Sequence, residues 1–325
     1  MQIDPIATYR GDLTVTASLL RHARSTPHRV ALINGPLTLT YAQTASAAGA
    51  IATKLVKAGV RAGDRVCIPT DLPLHHLIGV LGTLWIGATA VPLPTDDLSR
   101  QAIVADCEPV LTLEVGDLQT DGSDYPPLHD PSPRELAMFL YTSGTTSGVR
   151  KGVMQSYLQL HNTVHYITKV MKMDETIREY VASPIDTAFW YGRCRCIIHV
   201  GGTAVLATGR LNPHAIVGAV DKHALNAIAG DTPIFLLLLH HLRAHFERIG
   251  ADLDQQPDLC RASRCLRLFD LAANRPPRRQ CLPPFVPLGT NEAGKPQSCF
   301  LGWQQLFAAA ARWPAPQRLW PSWLS

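Results

Sequence analysis

From Thr14 to about Leu271, short apolar segments of strand length alternate with longer segments whose apolar residues recur at helical spacing. That alternation leaves few architectures open. Strands separated by helices lie side by side and parallel, so the pattern predicts an α/β fold with a largely parallel sheet. At 325 residues the chain holds material for about two domains of roughly 150 residues each.

The units can be placed along the chain. Val30–Ile33 reads as a strand, and Asn34-Gly35 as a type I′ turn into Leu37–Leu39. Thr40 with Gln43 makes a capping box, followed by a helix burying Ala48, Ile51, Ala52, Leu55 and Val56, with Gly59 as its C′ residue. Arg65–Ile68 is the next strand, Leu74–Trp85 a helix, and Ala88–Val91 a strand before a break at Pro92 and Pro94. A loop over Gly116–Pro133 leads to a strand at Ala137–Tyr141, which runs into a Gly/Ser/Thr segment. Ser156 caps a helix whose buried face is Leu160, Val164, Ile167 and Met171. Further strands fall at Glu179–Ala182, Gly202–Leu206, Leu225–Ala229 and Cys265–Phe269. No internal repeat is visible.

Beyond Ala273 the character changes. Asn274–Ser325 carries nine of the 25 prolines and four of the six tryptophans. Proline at that density denies hydrogen bonds to both helix and ladder, so only Gln304–Arg312 is expected to be helical and the rest irregular. The expected division is 1–135, 136–273 and an irregular tail, 274–325.

The net charge of +4 is spread along the chain, with only Arg275, Arg278 and Arg279 clustered. Nucleic-acid binding needs a concentrated basic stripe and is not expected. The eight cysteines include no CxxC pair, which points to reduced thiols rather than a disulfide frame or a zinc ribbon. No secretory leader and no stretch long enough to span a bilayer are apparent, so a cytoplasmic protein is expected.

The chemistry concentrates in Tyr141-Thr-Ser-Gly-Thr-Thr-Ser-Gly-Val-Arg-Lys-Gly-Val153. Gly144, Gly148 and Gly152 allow tight turns that expose backbone N–H donors to an anion. Thr142, Ser143, Thr145, Thr146 and Ser147 add hydroxyl donors, and Lys151 a mobile positive charge for a polyphosphate. No Gly-Lys-Ser/Thr closes this run, so it is not a Walker A loop. Gly289-Thr-Asn-Glu-Ala-Gly-Lys295 comes nearer formally but has Pro296 where the metal-binding hydroxyl belongs. His240, His241 and His245 have zinc-compatible spacing, but no glutamate intervenes and no third ligand is evident.

The Thr142–Gly152 segment resembles the phosphate-binding signature of the adenylate-forming superfamily: acyl-CoA synthetases, luciferases and the adenylation domains of peptide synthetases. Thr142 to Thr146 match directly, Ser147 resembles a one-residue insertion, and Gly148, Lys151 and Gly152 match again. Arg150 replaces the usual proline. Leu37-Thr-Leu-Thr-Tyr41, Ala58–Val66, Trp85–Leu93, Gly201–Leu206 and Ile228–Leu239 are also similar to family segments. Ser183–Gly192 falls where the family lines its acyl pocket, with Asp186 near a usual histidine and Trp190, Tyr191 and Gly192 as further pocket candidates.

The resemblance implies the N-terminal part of the adenylate-forming fold, two α/β subdomains with largely parallel sheets packed by helices. It implies a ligase in which a small-molecule carboxylic acid reacts with ATP, with Mg2+, to give an acyl-adenylate, and a thiol such as that of CoA displaces AMP. Of the family's later metal-associated motif only Glu292 gives a faint echo. The resemblance stops near Ala273, so the expectation is a truncated protein with weak ATP binding and no complete thioester synthesis. A carrier protein as acceptor, or a non-catalytic nucleotide-binding remnant associating with a complete paralogue, are the alternatives.

Overall fold

Among the described residues the strands assemble into two five-stranded sheets built to one plan. The computed structural model describes residues 9–114, 116, 118, 120, 122–141, 151–207, 213–230, 234 and 238. The expected strand at Cys265–Phe269, the Pro/Trp-rich tail and its helix lie outside them.

In chain order the elements are α1 (Val15–Ser25), β1 (Val30–Asn34), β2 (Leu37–Thr40), α2 (Tyr41–Lys57), β3 (Arg65–Pro69), α3 (Pro73–Trp85), β4 (Thr89–Leu93), α4 (Asp97–Cys107) and β5 (Leu111–Thr112). There follow β6 (Leu136–Tyr141), β7 (Gly152–Ser156), α5 (Tyr157–Val170), β8 (Arg178–Val181), α6 (Ala188–Val200), β9 (Thr203–Leu206), α7 (Pro213–Lys222) and β10 (Ala227–Ala229). The first sheet has the order β10-β8-β9-β1-β2, the second β5-β3-β4-β6-β7. In each, four strands are parallel and the fifth turns back antiparallel at one edge. The expected α/β fold with largely parallel sheets is therefore present. Each sheet combines strands from before and after residue 135.

The inner strands are buried on both faces, and alternation sorts their side chains into layers. Leu32, Val66, Ile68 and Ala90 enter the main core, which also takes in α1, α2, α3, α5 and α6. Ile33, Tyr180 and Val205 point to the opposite face of the first sheet, against Ile216 and Ala219 of α7. Cys67, Val91 and Leu93 point to the opposite face of the second, against Ile103 and Cys107 of α4. Among the described residues no helix is long and apolar enough to cross a membrane, and Cys67, Cys107, Cys194 and Cys196 are buried free thiols.

The edge hairpins repeat one another closely, which residue identity alone conceals. In β1–β2 the ladder skips a residue between Val30 and Leu32, and in β6–β7 between Leu136 and Met138. The Tyr41 N–H donates to Arg29 O and that of Ala42 to Pro27 O, as Tyr157 donates to Glu135 O and Leu158 to Pro133 O. Each hairpin then enters its helix through a capping box, Thr40 with Gln43 and Ser156 with Gln159. The opening tyrosine is buried each time, Tyr41 donating to Gly202 O at 2.8 Å and Tyr157 to Leu84 O at 3.3 Å. The expectation of no repeat is thus corrected. The repeat lies in backbone geometry and a few anchoring residues, which is all a hairpin-to-helix junction requires.

Other expectations change in detail. Gly35 has φ +61° and begins a two-residue turn with Pro36, whose ring-fixed negative φ excludes type I′. Gly59, at φ +86°, ends α2 as expected, its N–H donating to Val56 O while Val60 donates to Leu55 O. Val56 is 47% exposed and Met171 is 41% exposed, because the buried arc of each helix is narrower than its apolar pattern. β4 runs through Pro92 to Leu93. Leu93 O faces Thr70 on the β3 side, so Pro92 turns its donorless nitrogen toward β6, whose pairing with β4 involves Ala90 alone. β7 was not expected at all.

Candidate functional site

The two hairpins differ in one respect. β1 and β2 are joined by two residues, whereas Tyr141 and Gly152 face each other across β6–β7 with ten residues between them. Two residues suffice to reverse this ladder, so closing it does not account for the longer connection, and loop closure grows costlier with length. The Gly/Ser/Thr run therefore enters and leaves the sheet at a defined pair of positions. Thr142, Ser143, Gly144, Thr145, Thr146, Ser147 and Gly148 lie outside the described residues, as does Arg150.

The hairpin's ends are held by aromatic packing. The Tyr141 hydroxyl donates to Asp106 Oδ2 at 2.6 Å, and the ring lies 5.1 Å from that of Phe139. Burial first, then this carboxylate, push the Tyr141 phenol well above its ordinary range. Gly152 keeps a negative φ and is the first residue of β7. Its smallness serves a different purpose from the expected tight turn: a Cβ there would sit 2.6 Å from Cε2 and Cζ of Phe139. Lys151, one residue earlier, is exposed at the loop's exit.

The pocket candidates of the second segment divide. Asp186 is half-buried just before α6, whose N-cap Thr187 accepts from Trp190 N at 3.3 Å. Trp190, Tyr191 and Gly192 are buried, the first two within the main core and edge-to-face at 5.2 Å. Burial chiefly, with Asp186's charge second, raises the Tyr191 phenol far above its ordinary value. The Tyr191 hydroxyl donates to Nε2 of His76, whose Nδ1–H donates to Pro69 O at 2.8 Å, the tautomer that satisfies both ring nitrogens. Burial lowers the His76 pKa to about 4.

His76 was not among the residues singled out from the sequence. Its only signal was a histidine pair within a largely apolar helix, which does not reveal the partner. Among the described residues no group of three or more His, Cys, Asp or Glu side chains is placed to hold a metal. Glu292 and the His240, His241 and His245 group lie outside the described residues. Of the run expected to bind phosphate, only Lys151, at the mouth of the ten-residue connection, and Gly152 lie among the described residues.

Comparison with known proteins bears on this arrangement. The chain is 28% identical over 256 residues to the anguibactin system regulator of Vibrio anguillarum, covering 71% of this chain and 24% of that protein. It is 26% identical over 249 residues to feruloyl-CoA synthase of an Amycolatopsis species, covering 69% and 50%. The fold resembles VinN in complex with L-aspartate, with TM-score 0.62, 19% identity, 71% of this chain and 65% of that one. The chain thus spans from about a quarter to half the length of these two curated relatives. The model of the AMP-binding enzyme family matches residues 19–282, well over half of the sequence. The chain belongs to the AMP-binding, adenylate-forming enzyme family.

Proposed function

We propose that this chain forms the nucleotide-binding part of an ATP-dependent, AMP-forming acid–thiol ligase acting in the cytoplasm. An acid's carboxylate attacks the α-phosphorus of ATP, the bond to pyrophosphate breaks, and an acyl-adenylate forms. A thiol then attacks the acyl carbon and AMP leaves. Lys151 and the loop from Thr142 to Gly152 compensate the charge gathering on the pyrophosphate, with Mg2+ as the divalent partner and Glu292 as its candidate associate. The observation that carries this reading is the conserved hairpin plan with two connecting residues in one copy and ten in the other.

Asp186 refines the substrate class. A half-buried carboxylate beside the start of α6 favours an acid that also carries a cationic group, since opposite charges stabilise one another strongly where water is scarce. The fold's similarity to VinN with L-aspartate is compatible with an amino acid. Similarity to feruloyl-CoA synthase supports CoA as the thiol. A phosphopantetheinyl carrier protein is the second reading, favoured by the same carboxylate if the substrate is an amino acid.

The test is calorimetric titration of the full chain with MgATP, then ATP–pyrophosphate exchange with amino acids and uncharged acids. Saturable ATP binding weakened by Lys151→Ala supports the proposal. No binding, or equal affinity in the variant, overturns it. CoA against a phosphopantetheinylated carrier protein then identifies the acceptor.

A further inference from the structure

Two thiols from different layers of the fold touch. Cys67 lies in β3, an inner strand, and packs on the face covered by α4, whose last residue is Cys107. Their Sγ atoms are 3.7 Å apart although the residues are 40 positions apart in the chain, and both are wholly buried. That separation is sulfur–sulfur contact, and a disulfide bond of about 2 Å requires the two atoms to close only a little further. Cys67 is fixed between β4 and β5. Cys107 sits at a helix end, and Glu108 after it is left-handed at φ +43°, so the last turn of α4 can take up the movement without disturbing a ladder.

The helix α4 is lightly held. Of its eleven residues only Ile103 and Cys107 are buried, and Leu98 is 83% exposed. Arg100 pairs with Asp71 at 2.5 Å near the surface, a kind of ion pair worth little in water. An element with so few buried apolar side chains opens locally far more often than the core unfolds. Burial raises the pKa of both thiols, so neither reacts where it lies, and the opening of α4 is the step that admits a reagent. Asp106, beside Cys107, accepts from the Tyr141 hydroxyl, and Phe139 and Tyr141 pack on the same cluster as the two thiols. A cross-link here would lie beneath the base of the β6–β7 hairpin.

We propose that Cys67 and Cys107 are a modification site, converted reversibly by a low-molecular-weight disulfide such as oxidised glutathione into an intramolecular disulfide that fastens α4 to β3. Cys107, carried outward on the opened helix, loses its proton, and its thiolate attacks one sulfur of the reagent. The reagent's S–S bond breaks and half of it leaves as a thiol. The Cys67 thiolate then attacks the Cys107 sulfur and expels the other half, also as a thiol. The two protein thiols are oxidised, the reagent is reduced, and both protons end on the departing thiols. None of the residues assigned to nucleotide or acid binding takes part, and the site does not depend on that assignment.

The test incubates the folded full chain with oxidised glutathione, then unfolds it in excess alkylating reagent and maps its peptides by mass. A linked pair of Cys67 and Cys107 peptides, lighter by two hydrogens and lost on reduction, supports the proposal. The thermal midpoint of the linked form should stand roughly 5–15 °C above that of the reduced chain and fall back on reduction. Cys107→Ala, treated identically, should show neither the link nor the rise. Four results overturn the proposal: both thiols recovered alkylated or as glutathione adducts, either one linked to another cysteine, a link that forms only in denaturant, or a link without the rise. Should the alanine variant fail to fold, the wild-type peptide map and its midpoints before and after reduction decide alone.

Discussion

The Tyr191 hydroxyl donates to the Nε2 of His76, 115 residues earlier in the chain, joining α6 to α3 inside the main core. The pair makes stability depend on pH. His76 titrates at about 4 in the folded chain, below its ordinary 6.5, so the unfolded chain binds the additional proton between those values. Its contribution, about 3 kcal/mol at most, is complete above pH 6.5 and disappears as pH falls toward 4. His199, also lowered to about 4 but only half-buried, acts in the same direction more weakly. Urea midpoints between pH 4.5 and 7.5 should rise with pH, and His76→Gln should flatten most of that rise. An unchanged slope would sink the assignment. Tyr191→Phe strands the buried Nε2 and should cost about 1–3 kcal/mol at pH 7.

The buried ion pair of Glu179 and Arg193 gives a second expectation. Both side chains are no more than 2% exposed, and the Met171 and Met173 sulfurs lie 3.1 and 3.7 Å from the guanidinium. Glu179→Gln should destabilise the chain by about 3–5 kcal/mol, because it leaves the guanidinium buried without its counter-charge. Replacing both, as Glu179→Leu with Arg193→Met, should recover most of the loss. Denaturant melts of the single and double variants measure the difference. A double variant no better than the single would show that the pair's geometry, not its charge balance, matters.

Gly152 tests the hairpin. An alanine there places its methyl against the Phe139 ring and should cost about 1–3 kcal/mol through overpacking. Phe139→Leu in the same chain should recover part of it. Additive losses would mean that the two positions do not touch.

Two substitutions probe the proposed chemistry. Lys151→Ala should weaken MgATP binding roughly 10- to 100-fold, the worth of a charge-assisted hydrogen bond to phosphate, with the fold intact by circular dichroism. Asp186→Asn should lower exchange with a cationic acid about tenfold or more while sparing uncharged acids. Equal losses for both acid classes would remove Asp186 from substrate selection.

The local elements were legible before the structure because short-range chemistry specifies them. Thr40 with Gln43 and Ser156 at a cap, Gly59 at a C′ position and the apolar runs at Leu74–Trp85 and Ala137–Tyr141 carry their instructions within a few residues. β7 was missed because Gly152–Ser156 has Val153 and Met154 exposed at a sheet edge, leaving no alternation to read.

The sequence by itself determined the α/β class, the helix caps, and the run of hydroxyls and glycines ending at Lys151, because each depends on neighbours in the chain. Tertiary structure alone decided that Tyr191 meets His76, that Glu179 neutralises Arg193 while Arg195 is left with a sulfur, and that β1 lies beside β9. Those pairings join residues 14 to 172 positions apart, and only the stacking of two sheets around shared helices brings such groups within reach and removes the water between them.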